Sequence, residues 1–283
     1  MTGITRAVAH CGPVSLDALT AEAELLTRVD RKYLMRIDGA RAVLCAVDDR
    51  TRVLEQHGAR DFAYESVYFD TADRLSYHLA ARSRRRRFKL RSRTYVGAGV
   101  SFLEMKTRGG RGVTVKERIA YDPGHRRRLT EAGRAYSAEA FAGIGLDPAL
   151  VDGLDAALTT RYRRTTLLAP DGSRATIDTA LVWIDADGRT LELPDWVIVE
   201  SKSAGPPSAL DRALWRSGMR PAGISKFGTG TAALHPELSG NKWARLLRGP
   251  FATATESAAP GSATSVTAAR PHLPAPRPTK DLS

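Results

Sequence analysis

An α+β fold, an antiparallel eight-stranded β-barrel with helices packed outside, is what this sequence predicts. Three observations lead there. Short runs with period-two alternation are separated by Gly- and Pro-bearing turns, the signature of hairpin-joined strands. Seven or eight of these runs carry one apolar parity and one polar or charged parity. The charged parity is mostly basic from run to run. An open sheet would leave such rows in solvent. A barrel turns them into a lumen and keeps the apolar parity outward, under helices.

Composition narrows the partners. The chain has 283 residues and a formal net charge of +12, long enough for a sizeable core and basic enough to favour an anionic partner. Cys11 and Cys45 form no CxxC pair, so structural zinc and disulfides are disfavoured. The N-terminus has no apolar signal core, and no run approaches the ~18 apolar residues of a membrane span; the cytoplasm is the expected compartment. The six histidines form no HxxxH pair, and neither a GxxxxGK[ST] loop nor a GxGxxG fingerprint occurs.

In chain order, Ser15 caps a helix to about Leu26. The run 27–37 is a strand with Asp30, Lys32 and Arg36 on one parity. Asp38 reads as the N-cap of a helix over 39–48. Residues 61–71 form a strand, followed by a helix through Leu75 and Leu79. The basic run RRRRFKLRSRTY at 84–95 is a strand from about Arg87. Gly97 and Gly99 turn it into the strand 101–108, and the GGRG cluster at 109–112 turns that into the strand 113–121. Residues 126–158 read as a helical insertion broken near 143–148. The strands 159–169 and 173–184 flank the turn Pro170-Asp171-Gly172. A short piece at 189–193, a strand at 196–204, helices at 207–218 and 241–248, and the segment 223–234 complete the folded part. The expected divisions are an N-terminal segment at 1–24 with its short helix, a barrel domain at 25–252 and a disordered Ala/Pro/Thr-rich tail at 253–283.

Read alone, the row Arg85, Arg87, Lys89, Arg91 and Arg93 is a solvated edge strand protected by charge. Matching rows change that reading. Lys32, Lys106, Lys116, Arg163 and Arg174 hold the charged parity of other strands, and Lys89, Arg161 and Lys202 join them. The acidic members are Asp30, Glu104, Asp178 and Glu200. Such a concentration of buried cations is unstable without an anion or solvent. A hydrated basic tunnel accommodates them and suits a linear polyphosphate, with arginine forks on phosphate oxygens and lysine point charges. The minority carboxylates suit a hard divalent cation, Mg²⁺ or Mn²⁺, that bridges phosphates. RNA is disfavoured, because Phe88 and Phe102 make no consistent stacking platform among the basic groups.

RVDRKYLM at 28–35, YFDT at 68–71, KLRSRTY at 89–95, FLEMK at 102–106, VKERI at 115–119, RYRR at 161–164, RATIDT at 174–179, VESK at 199–202 and ISKF at 224–227 follow one another in an order that resembles the VTC domain. That domain is the polyphosphate polymerase part of the vacuolar transporter chaperone, within the triphosphate tunnel (CYTH-like) superfamily. The resemblance spans about residues 25–235. It implies a metalloenzyme that moves the terminal phosphate of ATP, or another nucleoside triphosphate, onto a growing inorganic polyphosphate. It also implies Mn²⁺ or Mg²⁺ as cofactor.

On matching positions, Lys32, Arg91, Arg93, Lys106, Lys116, Arg163 or Arg164, Arg174 and Lys226 resemble the family's phosphate-binding cations. Parity with Arg161 favours Arg163 over Arg164. Glu200 resembles the metal-binding glutamate, and Ser225 stands next to Lys226. The expected catalytic set is Arg91, Arg93, Arg174 and Lys226. The expected phosphate-binding set is Lys32, Lys89, Lys106, Lys116, Arg161, Arg163, Lys202 and Ser225. Asp178 is expected to orient arginines. The chain departs from the family in carrying Asp30 in a remnant of the ExExK signature, and it shows neither an SPX domain nor membrane helices. A membrane protein partner would then be encoded elsewhere, with this protein peripheral to it. A triphosphatase of the same fold and a non-catalytic polyphosphate- or RNA-binding protein are the alternatives.

Overall fold

The structure, a computed structural model, describes residues 3–22, 29–108 and 114–257. In chain order the elements are α1 (Gly3–Ala7), β1 (Gly12–Val14), α2 (Leu16–Glu22), β2 (Val29–Arg36), α3 (Ile37–Leu44), β3 (Arg52–Leu54), β4 (Phe62–Asp70), α4 (Leu75–Ala81), β5 (Arg87–Tyr95), β6 (Val100–Arg108), β7 (Thr114–Tyr121), α5 (Glu131–Gly143), β8 (Asp155–Leu168), β9 (Arg174–Asp185), β10 (Thr190–Leu193), β11 (Trp196–Ser203), α6 (Ala209–Arg216), α7 (Lys226–Leu234), α8 (Ala244–Arg248) and β12 (Thr255–Ser257).

Eight strands are the staves of an antiparallel barrel, in the order β2-β11-β9-β8-β4-β5-β6-β7. Hydrogen-bonded ladders run from β2 round to β7. Among the described residues no ladder joins β7 back to β2, so the barrel has a seam instead of a closed ring. β7 is the edge at that seam, and Thr114, Val115, Lys116, Glu117 and Arg118 are all exposed. On the edge away from β8, the strand β9 serves two neighbours: 174–178 pair with β11 and 181–184 with β10. Ala180 separates the two halves at φ 49°, within the irregularity where β8 and β9 slip register.

Three clusters hold helices against the wall, the first two from outside and the third from the inward side, where Trp183 stands opposite Thr160 and Phe227 stacks on Tyr68. Tyr33, Met35, Ile177, Val197 and Val199 face Val43, Leu44 and Leu214, from α3 and α6. Val67, Phe69, Phe88, Leu90, Leu103 and Met105 face Phe141 of α5 and its flanks. Leu181, Trp183, Leu191 and Leu193 meet Phe227 and Ala232 of α7. Ser208 and Asp211 form a capping box that starts α6, and Ser225 caps α7 through the Gly228 N–H.

Several local expectations shift. Asp38 lies inside the first turn of α3, not at its cap, because Arg36 is the last extended residue. The expected insertion ends sooner than residue 158, since β8 already begins at Asp155 and runs fourteen residues. The N-terminal segment is part of the core: Ile4 and Val8 are fully buried against the α3 cluster, and β1 pairs in parallel with β3. Thr255–Ser257, placed in the tail from sequence, form β12 against β10. The GGRG turn and the remainder of the tail lie outside the described residues.

Candidate active site

Strict alternation on β5 builds one wall of the lumen. Phe88, Leu90, Ser92 and Thr94 are buried on the helix side, and Arg87, Lys89, Arg91, Arg93 and Tyr95 face inward. The register then sets charge against charge. Glu104 of β6 stands directly opposite Arg91 and also opposite Arg118 of β7. Arg91 holds Glu104 Oε2 through Nε at 2.9 Å and Nη2 at 2.6 Å, and gives Nη1 to Tyr68 Oη at 3.1 Å. Lys116 and Arg93 approach Glu104 Oε1 at 3.3 and 3.7 Å. Burial alone would raise the Glu104 carboxyl. Arg91, Arg93 and Lys116 outweigh it and hold the group at about 2.

A second buried carboxylate organises the opposite wall. Asp178 is fully buried and accepts a fork from Arg164, Nε at 2.6 Å and Nη2 at 2.8 Å, as well as a bond from Lys226 Nζ. Burial pushes Asp178 up, but Arg164 and Lys226 more than reverse that, so it stays ionised. The Tyr162 ring lies between these groups. The Lys226 ammonium is 4.3 Å and the Arg164 guanidinium 5.2 Å from its centroid. Burial raises the Tyr162 phenol, and Arg93, Arg164 and Lys226 carry it below its ordinary value.

The third carboxylate, Glu200 on β11, faces Lys32 on β2 at 3.6 Å and is bonded by Lys202. Lys202 also bridges to Asp30 at 3.2 Å. Burial opposes ionisation of Glu200, and Lys32 and Lys202 overcome it, leaving the carboxyl far below its ordinary value. Arg174 stands opposite Lys202 at the start of β9. Lys89 differs from all of these. Its ammonium donates to Ser225 Oγ at 3.0 Å and lies 5.7 Å from the Phe227 ring, with no carboxylate within 4 Å among the described residues. Burial first, then Arg91, Lys106, Lys32 and Lys242, bring it down to about 7.

The sequence-predicted residues thus divide. Lys32, Lys89, Arg91, Arg93, Lys106, Lys116, Lys202, Ser225, Lys226 and Glu200 gather along the lumen, with Arg174 on the same parity of β9. Arg161 and Arg163 do not. Arg161 is exposed and paired with Glu65 at 2.8 Å, and Arg163 is exposed and paired with Asp61 at 2.6 Å. Alternation through β8 therefore turns Tyr162 and Arg164 inward. Glu65 of β4 and Asp61 just before it hold Arg161 and Arg163 outside together, so the two share a parity but not the lumen, and Arg164 takes the inward place. Tyr162 is the lumen residue that sequence reasoning missed; the RYRR motif contains it, between two arginines of the other face.

Several polar atoms on the inward parity are buried without a hydrogen-bond partner: Arg93 Nε, Ser66 Oγ, Thr160 Oγ1, Tyr162 Oη and Thr176 Oγ1. Ser66 stands directly opposite both Arg93 and Thr160. Unpaired buried donors of this density mark a place where a polar ligand completes the bonding. Toward one mouth the lumen widens to a cavity of about 570 Å³ lined by Lys32, Arg87, Lys89, Lys106, Arg108 and Lys242, with Asp30 as the carboxylate among them.

For a metal the donor set is small. Among the described residues no group of three or more His, Cys, Asp or Glu side chains is placed to hold an ion. Glu200, with Asp30 linked through Lys202, supplies one or two carboxylates. That fits Mg²⁺ or Mn²⁺ only where phosphate oxygens and water provide the remaining ligands. No helix among the described residues is long and apolar enough to cross a membrane.

A family model described as the VTC domain matches residues 27–235. Comparison with curated proteins gave no match. Solved structures that resemble the chain include HpAC1 from Hippeastrum, described with a dominant triphosphatase activity, at 16% identity and a TM-score of 0.46, covering 72% of this chain and 94% of that one. The PH1819 protein from Pyrococcus horikoshii OT3 matches at 14% identity and a TM-score of 0.40, covering 77% and 99%. With the family match extending over most of the sequence and over every stave of the barrel, the chain belongs to the VTC-domain family.

Proposed function

We propose that this protein is a polyphosphate polymerase-like phosphotransferase, which moves the terminal phosphate of ATP or another nucleoside triphosphate to a growing inorganic polyphosphate. The observation that carries this reading is the inward set of Arg91, Arg93, Arg164 and Lys226. It surrounds two buried carboxylates and leaves Arg93 Nε and Tyr162 Oη unpaired. Glu104 and Asp178 already orient these cations, so little reorganisation accompanies binding of a phosphate chain.

Phosphoryl transfer asks the protein for in-line positioning and charge neutralisation, with little covalent help. Lys32, Lys89, Lys106, Lys116, Lys202, Arg174 and Ser225 hold the chain extended. Arg91, Arg93, Arg164 and Lys226 stabilise charge spreading over the transferring group. Glu200, with Asp30, would hold Mn²⁺ or Mg²⁺, which when bound neutralises charge on the phosphate oxygens. The acceptor is a terminal phosphate oxygen that is already ionised, so no strong general base is needed.

The test is to incubate the purified protein with ATP and Mn²⁺ and to separate long polyphosphate from free phosphate. Polymer formed by the wild type and lost in Glu200→Ala and Arg91→Ala supports the reading. Free phosphate alone assigns a triphosphatase. Neither product with any divalent metal, together with tight polyphosphate binding, leaves a binding protein and removes the enzymatic claim.

A further inference from the structure

The register of β5, β6 and β7 changes character along the lumen. Around the buried Glu104, opposite charges face one another: Arg91 stands opposite it on β5, and Arg118 opposite it on the exposed seam strand β7. Toward the wide mouth, like charges do. Lys89 stands opposite Lys106, Lys106 opposite Lys116, and Arg87 opposite Arg108. Directly opposed like charges destabilise a sheet, so the mouth carries a cost that the inner barrel avoids. Lys242 adds a further cation across the cavity, anchored on the Ala80 carbonyl at 2.7 Å.

The chain just before this mouth extends the same field outward. Arg82 caps α4, and Arg84 and Arg85 lie in the link to β5. All three are exposed, and none has a carboxylate within 4 Å among the described residues. The link is fixed to the mouth, because Arg87 Nη1 donates to the Arg84 carbonyl at 2.7 Å. Arg86 turns away, and its guanidinium covers Gly145 beyond α5. The other end of the lumen is different. It is narrowed by Tyr64, Tyr95 and Tyr162, with Phe102 edge-on to Tyr95.

We propose that Arg82, Arg84 and Arg85 form a shoulder that continues the cationic mouth outside the barrel and binds the part of a linear polyphosphate that emerges from it. The substrate class is then a phosphate chain longer than the lumen, running out past Arg87 and Arg108 and not past the aromatic end. This inference rests on the reading of the lumen as a phosphate tunnel. An extended polyanion fits better than an anionic membrane because the shoulder is continuous with the cavity: like-charged pairs lead from Lys89 to Arg87, and the backbone leads from Arg87 to Arg84.

The experiment compares tripolyphosphate with long-chain polyphosphate over a range of salt concentrations. It uses the wild type and the triple variant Arg82→Ala, Arg84→Ala, Arg85→Ala, with phosphatidylserine vesicles as a third ligand. In the wild type the long chain binds more tightly and with a steeper salt dependence. The variant loses about two units of log–log salt slope, from roughly 0.7 per phosphate contact on a single-stranded polyanion, and on the order of tenfold or more in long-chain affinity. Its tripolyphosphate affinity falls far less.

Equal losses for both phosphates, or no loss for either, overturn the shoulder. Loss of vesicle binding with long-chain affinity intact overturns it in favour of a membrane surface. Failure of wild-type protein to bind tripolyphosphate, with arginine-dependent binding of the long chain retained, removes the tunnel reading and keeps the shoulder.

Discussion

Arg164 and Asp178 face each other across β8 and β9 and join in a two-bond fork of 2.6 and 2.8 Å, with Asp178 fully buried. The carboxylate is also the anchor of Lys226, so one buried anion fixes two cations from two different elements. Removing one partner of such a pair leaves uncompensated buried charge, typically at a cost of about 3–5 kcal/mol. Asp178→Ala is therefore expected to destabilise the protein by that order and to scatter Arg164 and Lys226. Urea denaturation read beside tripolyphosphate affinity checks both consequences; an unchanged midpoint with unchanged affinity contradicts this role.

Arg163 and Arg164 are neighbours with opposite fates. Arg163 is an exposed ion pair with Asp61, and exposed pairs contribute about 0–1 kcal/mol. Arg163→Ala should leave stability within that range and phosphate affinity close to wild type. Arg164→Ala should lower affinity strongly and destabilise the fold, because Asp178 stays behind. Measuring both variants by calorimetry and thermal denaturation tests the corrected parity directly, and equal effects would contradict it.

Much of this site is legible in the sequence, for a physical reason. A period-two charge row survives translation into structure whenever the strand is regular, as β5 shows from Arg87 to Tyr95. Parity fails where its reference residue is misplaced. Arg161 reads as a lumen cation in the sequence, yet Glu65 of β4 neutralises it outside, and no local pattern reveals a carboxylate ninety-six residues earlier in the chain. The same limit hid the N-terminal segment. Ile4 and Val8 are buried through contacts with α3, and the short strands β1 and β3 carry too few residues to show a period. The seam between β7 and β2 is likewise a property of strand order, which alternation within each strand does not encode.

Glu104 and Lys89 both make the apoprotein more stable as pH rises, each in its own window. The Glu104 carboxyl is depressed to about 2 from 4.5. Its contribution, on the order of 3 kcal/mol, is present above the unfolded value and is lost as pH falls through the folded one. Glu104→Gln should flatten the acid limb of a stability profile between about pH 4.5 and pH 2. An unchanged acid limb would contradict the triple pairing with Arg91, Arg93 and Lys116.

The Lys89 ammonium is depressed to about 7 from 10.5, so between those values the unfolded chain binds more protons than the folded one. Stability from this group accordingly rises with pH across that window. An anionic ligand favours the charged form, so tripolyphosphate binding near pH 8, about one unit above the folded value, should take up a proton at Lys89. Calorimetry in buffers of different ionisation enthalpy reads the uptake, and Lys89→Met should remove most of it. Equal uptake in wild type and variant would place the titrating group elsewhere.

The approach of α7 to the barrel sets where Lys226 and Ser225 sit, and two glycines permit that approach. A Cβ on Gly230 would come within 2.1 Å of Trp183 Cδ1, and one on Gly228 within 2.4 Å of the Trp243 ring. Trp183 in turn donates its indole N–H to the Lys226 carbonyl at 2.8 Å, tying the helix start to β9. Added volume in a packed contact costs typically about 1–3 kcal/mol. Gly230→Ala is expected to show that loss and, in addition, to displace the helix so that Lys226 leaves Asp178 and Ser225 leaves Lys89. Phosphate affinity should then fall by more than in Arg163→Ala, although Gly230 itself carries no charge. Denaturation and tripolyphosphate titration of Gly230→Ala, with Gly223→Ala as a control because nothing lies within 4 Å of the added Cβ there, separate helix placement from a general loss of stability. Full affinity in a destabilised Gly230→Ala protein would show that the lumen holds Lys226 without the help of α7 packing.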